Sequence, residues 1–224
     1  MFDLHGYGEQ LFLGVIVTLE LAFVSLFFGV LFGILGASAK LSSARALSVP
    51  VSIFTNLMRG VPEFVIILVS YFGLTNLLTS IVGSYVEIDP FVAGVFALSL
   101  VFSSYASENF RGAFLAVPKG QLEAARAYGM NRSQIFLRIH LPQAWRFALP
   151  SLNNQWQSLL KDTSLISVIG LEDLMRKAMI ASQVTKNPFT FYVATAVVYF
   201  VLLAISVPLF RALEKRANRG VRRN

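Results

Sequence analysis

Apolar residues concentrate in five runs, at about 11–38, 52–74, 91–111, 147–169 and 190–210, and most charged residues fall between them. Crossing about 30 Å of hydrocarbon takes a helix of roughly 20 residues, so each run is long enough to span. The pattern predicts an all-α polytopic membrane protein with about five transmembrane helices. It forms one transmembrane domain over 1–224, with its core at about 11–211 and a basic tail at 212–224.

Polar residues interrupt these runs at particular places. The first contains Thr18, Glu20 and Ser25, beside a Gly29, Gly33, Ala37 repeat whose four-residue spacing suits close helix packing. Glu20 is expected either to have a functional role or to bond a polar group on a neighbouring helix. The second run is broken by Met58-Arg59-Gly60-Val61-Pro62-Glu63, where Pro62 removes a backbone donor and Gly60 loosens the turn. Irregular backbone at membrane depth must be buried in protein or line a wet cavity. Arg59 and Glu63, four apart, form a functional pair or simply neutralise one another. The third run ends in Ser103-Ser104-Tyr105-Ala106-Ser107-Glu108-Asn109-Phe110-Arg111, in which Glu108 and Arg111 form part of a path or an interfacial pair. The fourth passes Asn153, Asn154 and Gln155 before Lys161-Asp162-Thr163-Ser164, a polar stretch that calls for an interior helix.

Residues 118–142, PKGQLEAARAYGMNRSQIFLRIHLP, are charged and lie between two spans. They read as a helix, a glycine break and a second helix. Pro118 opens the first helix and Gly129 closes it. Asn131 and Gln134 stand in the capping-box arrangement, and Pro142 is expected to stop the second helix. Leu122, Ile135 and Ile139 supply apolar anchors. Ala125, Gly129 and Ile135 also fall at helix-turn-helix offsets. Both ends of the element run into spans, however, which would hold a recognition helix against the bilayer. A nucleic-acid partner is therefore not expected, and docking into a cleft of a cytoplasmic protein is.

Composition agrees with a membrane protein: 55% hydrophobic residues, 14% charged, 20 Phe and a mean hydropathy of +0.64. There is no cysteine, so disulfide and thiolate chemistry are excluded. The acidic N-terminus does not resemble a cleaved leader, and the first run is expected to remain as a mature span. The net charge of +7 is unevenly placed. Alternating crossings give one loop set holding 14 of the 19 basic residues, including Arg219, Arg222 and Arg223, and another holding Arg176, Lys177 and Lys186. That bias puts the N-terminus outside and residues 118–142 and the C-terminus in the cytoplasm. Tail arginines suit lipid headgroups. His5 and His140 are far apart and have no ligand cluster around them, so neither a metal site nor a catalytic residue is expected.

Glu123-Ala124-Ala125, then Gly129, then Ile139-His140-Leu141-Pro142 reproduce the pattern EAA, three residues, G, nine residues, I-x-L-P. This resembles the cytoplasmic coupling loop of binding-protein-dependent ABC importer permeases. Arg59-Gly60-x-Pro62, Glu108-x-x-Arg111-Gly112 and Lys161-Asp162-Thr163-Ser164-Leu165 resemble the amino-acid branch. Arg59-Gly60-Val61-Pro62 followed by an acidic residue, with Gly170-Leu171-Glu172-Asp173, looks most like the Q-type subunits of importers for histidine, arginine, lysine and ornithine, or for opines.

The resemblance implies a type I importer fold in the bacterial inner membrane. Its implied partners are a second permease, identical or homologous, two ABC ATPase subunits and a periplasmic amino-acid-binding protein. It also implies that Glu123, Ala124, Ala125, Arg126, Gly129, Ile139, Leu141 and Pro142 engage the ATPase. No G-x-x-x-x-G-K-[ST] phosphate loop occurs, so ATP and Mg are expected to act only through the partner subunit. The candidate substrate residues are Glu63, Ser104, Tyr105, Glu108, Lys161, Asp162, Thr163 and Ser164, with Arg59, Gly60 and Pro62 at the helix break. Intramembrane carboxylates with few matching cations favour a basic amino acid. The alternatives are a permease for other polar or acidic amino acids and, in another class, a secondary transporter or channel.

Overall fold

The computed structural model describes residues 4–218, and these form helices with no strand among them. The long elements are α1 (Gly8–Lys40), α2 (Arg45–Gly60), α3 (Glu63–Val82), α4 (Pro90–Ala116), α7 (Leu141–Asp162) and α9 (Pro188–Ala217). Shorter ones are α5 (Lys119–Ala127), α6 (Arg132–Ile135) and α8 (Leu174–Thr185), with a π-turn at Phe136–His140 and a 3-10 helix at Thr163–Ile169. Arg219, Arg222 and Arg223 lie outside the described residues.

Among the described residues, α1, α3, α4 and α9 are long and apolar enough to cross a membrane. The fourth expected span is more polar. It runs as α7 from Leu141 to Asp162 and tightens into the 3-10 helix, with Ala148, Leu152, Trp156 and Leu159 buried. A span that turns its polar residues inward does not show up by hydropathy alone.

The second expected span, 52–74, is redrawn. Val61 and Pro62 are both extended, with ψ of 137° and 136°, so α2 ends at Gly60 and the apolar crossing is α3, Glu63–Val82. Proline disfavours the helical conformation in the residue before it, which separates the two helices at this point. Thr55 is the one residue of α2 that is buried, and Ile53, Phe54 and Leu57 are exposed.

The core is centred on α4, which packs most extensively against α1. The small stripe of α1 faces it. A Cβ on Gly29 would lie 2.5 Å from the Phe102 ring, and one on Gly33 would lie 2.6 Å from Ala106 Cβ. Only residues without a side chain allow this approach. Ser99 Oγ donates to the Ser25 carbonyl across the same seam at 3.3 Å. Glu20 lies exposed on α1, on the other side from this seam.

Candidate functional site

A cavity of about 290 Å³ opens between α3, α4 and α7. One face of α4 lines it with Leu98, Val101, Phe102 and Tyr105, and one face of α7 with Asn154, Gln155, Ser158, Leu159 and Asp162. These spacings of three and four residues put each set on one side of its helix. Glu63 completes the wall from the first position of α3, where the positive end of the helix dipole favours an anion. The Tyr105 hydroxyl donates to Glu63 Oε1 at 3.4 Å. Asp162 closes α7, where the dipole has the opposite sign and favours a cation nearby. Gln155 Oε1 is buried and finds no protein donor. The lining therefore carries two carboxylates and no cationic side chain.

Of the eight expected substrate residues, Glu63, Tyr105 and Asp162 meet at this cavity, and the other five do not line it. Ser104 is buried, and its hydroxyl donates to the Leu100 carbonyl at 2.8 Å. Thr163 bonds back to the Leu160 carbonyl and Ser164 to that of Lys161, each at 2.7 Å. These hydroxyls serve the helix backbone, as serine and threonine often do when no outside partner is nearer. Lys161 is exposed.

Glu108 belongs to a second charged region, one turn further along α4. Its Oε1 accepts from Lys40 Nζ at 2.5 Å, and its Oε2 accepts from Arg111 Nε at 2.8 Å. Arg59 approaches to 3.9 Å. The Lys40 side chain is only 3% exposed, and Thr55 Oγ1 also accepts from it. One carboxylate thus joins the end of α1, the α2 arm and α4. The expected Glu108–Arg111 pair is present within this larger cluster. Arg59 turns from Glu63 and donates to Asn56 Oδ1 at 2.8 Å.

Asn154, Gln155 and Ser158 were absent from the expected set. Their signal was the spacing that Asn154 and Ser158 share with Asp162, a polar stripe at 154, 158 and 162 on one side of α7.

The 118–142 element leaves the end of α4 and returns as α7. Gly129 has φ +77°, its N–H bonds the Arg126 carbonyl at 2.9 Å, and the Met130 N–H bonds that of Ala125 at 3.1 Å. This is the double bond pattern of a left-handed helix stop. Asn131 and Gln134 form the reciprocal capping box, at 2.9 and 3.0 Å. Pro142 does not stop the second helix, because it stands in the first turn of α7. The π-turn passes the Leu141 N–H to the Phe136 carbonyl, five residues back, and the chain continues as helix through a position that has no donor. Glu123, Ala124, Arg126, Gly129 and Pro142 are exposed, Ile139 and Leu141 are half-buried, and Ala125 is buried. Tyr128 is 90% exposed.

The binding-protein-dependent transport system inner membrane component profile matches residues 29–219, and the chain belongs to this family. It is 41% identical to the histidine/lysine/arginine/ornithine transport system permease protein HisQ of Escherichia coli, over 98% of each chain. It is 45% identical to the nopaline transport system permease protein NocQ of Agrobacterium fabrum, over 97% of this chain and 94% of that one. The crystal structure of an amino acid ABC transporter with histidines superposes with a TM-score of 0.81 at 35% identity, covering 94% of this chain and 95% of that chain. The chain is a multi-pass, all-helical permease component of a bacterial inner membrane, with the fold of an ABC importer permease.

Proposed function

We propose that the chain is the permease subunit of an ATP-driven importer that carries basic amino acids or opines inward. The observation that carries this reading is the cavity, which has carboxylates from α3 and α7, a free amide oxygen and no cationic side chain in its lining. A cargo with its own positive charge supplies the missing donor, and a charge-assisted hydrogen bond of this kind is about twice as strong as a neutral one. The names of the relatives, which include histidine, lysine, arginine, ornithine and nopaline, support the same class.

The 118–142 element faces the cytoplasm in this reading, and the basic-residue bias supports that side. Two ATPase subunits, a second permease and a periplasmic binding protein complete the assembly. Glu123 offers an exposed charge to the ATPase, and Ala124 and Gly129 leave room for close approach. Energy comes from ATP and Mg held by that partner. The chain acts as one transmembrane domain over 1–224.

Two substitutions test the two halves separately. Glu63→Gln is expected to raise the arginine concentration for half-maximal uptake about tenfold to a hundredfold, the range set by losing about 1.5–3 kcal/mol of charged hydrogen bonding. Unchanged arginine and histidine uptake removes Glu63 from the site. Glu123→Lys is expected to leave the protein folded in the membrane while uptake is lost and the ATPase is released or idles. Normal uptake at normal ATP turnover overturns the coupling role.

A further inference from the structure

The coupling element joins the two helices that supply most of the cavity wall, so its influence on the cavity depends on how it is fixed to them. Its exit is continuous, since the π-turn runs directly into α7. Its entry is not. Val117 and Pro118 are both extended, with ψ of 124° and 127°, so the helical hydrogen-bond ladder is broken between α4 and α5. Fastening to α4 comes instead from the far end of the element. His140 Nε2 lies 3.0 Å from the Phe114 carbonyl, in the last turn of α4. A carbonyl cannot donate, so the ring carries a proton on Nε2 and donates to the Phe114 carbonyl, which lacks its i+4 donor because Pro118 has no N–H and otherwise accepts only the Val117 N–H at 3.3 Å.

Aromatic rings surround this bond. The His140 ring sits 4.9 Å from Phe114 and 6.4 Å from Phe136, and Phe110 stacks on Trp145 at 5.8 Å. Phe110 and Phe114 are buried. The aromatic pairs hold the two helices together over a broad area, and the hydrogen bond adds one directional contact, sensitive to distance and angle, at the end of α4.

We propose that His140 is the positioning residue that locks the coupling element to α4, so that α4 and α7 carry the ATPase stroke as a single unit. The cavity then changes shape by movement of Glu63 relative to that unit, about the extended Val61–Pro62 joint. This rests on the coupling role given to residues 118–142 above.

The test uses the full importer in proteoliposomes, with uptake and ATP hydrolysis measured together. His140→Phe keeps a ring among Phe114 and Phe136 and removes the donor. It is expected to retain the ATPase and hydrolyse ATP while uptake per ATP falls about tenfold, the factor that corresponds to one lost hydrogen bond of about 1.4 kcal/mol. His140→Gln restores an N–H of similar reach and is expected to recover uptake per ATP to within about twofold of the native value on the same scale. Full coupling in the Phe variant overturns the proposal, as does a Gln variant that behaves no better than Phe. Spin labels on otherwise native chains provide a readout that does not depend on the Phe variant folding. A Val92→Cys, Phe147→Cys pair reports α4 against α7 and is expected to hold one distance with and without ATP. A Val69→Cys, Phe147→Cys pair reports α3, which carries Glu63, against α7 and is expected to shift. A nucleotide-dependent change in the first pair overturns the proposal. An element that never contacts the ATPase, judged by co-purification and by an inert Glu123→Lys, removes the coupling reading first and this inference with it.

Discussion

Tyr105 and Glu108 stand one helical turn apart on α4, yet they belong to regions of opposite charge. The cavity beside Tyr105 holds two carboxylates and no cation, whereas Glu108 is surrounded by Lys40, Arg59 and Arg111. In the first region the acids have no cationic side chain beside them in the lining, only the Tyr105 hydroxyl on Glu63, which suits a site for a mobile cation. In the second the acid is saturated, and a partly buried carboxylate neutralised on several sides joins helices and has no capacity left for cargo. An acidic residue in a span therefore takes its role from the cations within its reach. Its depth does not decide between the two.

Removing both cavity acids should have the largest effect of any change in this comparison. Glu63→Gln combined with Asp162→Asn is expected to abolish uptake of basic amino acids while the complex assembles normally, as measured by transport and by size-exclusion chromatography. Retained arginine uptake would erase the distinction between the regions. Glu108→Gln is expected to do the converse. It leaves the buried Lys40 ammonium with neutral acceptors only, the new amide oxygen and Thr55, and removing the countercharge of a buried pair costs up to about 3–5 kcal/mol, here reduced because Glu108 is partly exposed and the amide still accepts a hydrogen bond. Thermal unfolding in detergent should show this as a lower midpoint, and the surviving protein should keep its preference for cationic cargo.

A smaller effect concerns Asp173, in the connection before α8. Burial raises its carboxyl to about 7, against the pull of the N–H groups of its own helix cap and of Arg176. Its Oδ1 accepts from the Arg176 N–H at 2.8 Å, and its Oδ2 is buried without a protein partner. The folded chain therefore holds this proton more tightly than the unfolded chain. The stability it contributes is complete below the ordinary carboxylate range, falls as pH rises through that range and is gone above about 7. Asp173→Asn retains an N-cap and removes the titration. The variant is expected to lose this slope in a series of unfolding midpoints from pH 5 to 8. A variant with the native slope would assign the pH dependence to other groups.

The coupling element was the most legible part of the sequence because its signals act over a few residues. The stop at Gly129 and the Asn131–Gln134 box each depend only on near neighbours, and both are present. Pro142 was misread because a π-turn has no compositional mark, and without one a proline inside a helix is a stop. The break before Glu63 was readable from Gly60 and Pro62. Which part on either side of it crosses the membrane was not, since the amphipathic character of α2 depends on what it packs against. The cavity was half legible. Glu63, Tyr105 and Asp162 stood out as polar residues in apolar runs, but their meeting depends on the packing of three helices. Glu108 was grouped with them because Lys40, its main partner, lies 68 residues earlier.

The central claim is that the cavity selects a positive charge, and a comparison of two cargoes tests it most directly. Arginine and citrulline have nearly the same shape, and citrulline replaces the guanidinium with a neutral urea. With the complete native importer in proteoliposomes, ATP-dependent uptake of arginine is expected to exceed that of citrulline at least about tenfold at equal subsaturating concentration, in line with the loss of a charge-assisted hydrogen bond. Equal uptake of the two would contradict the account.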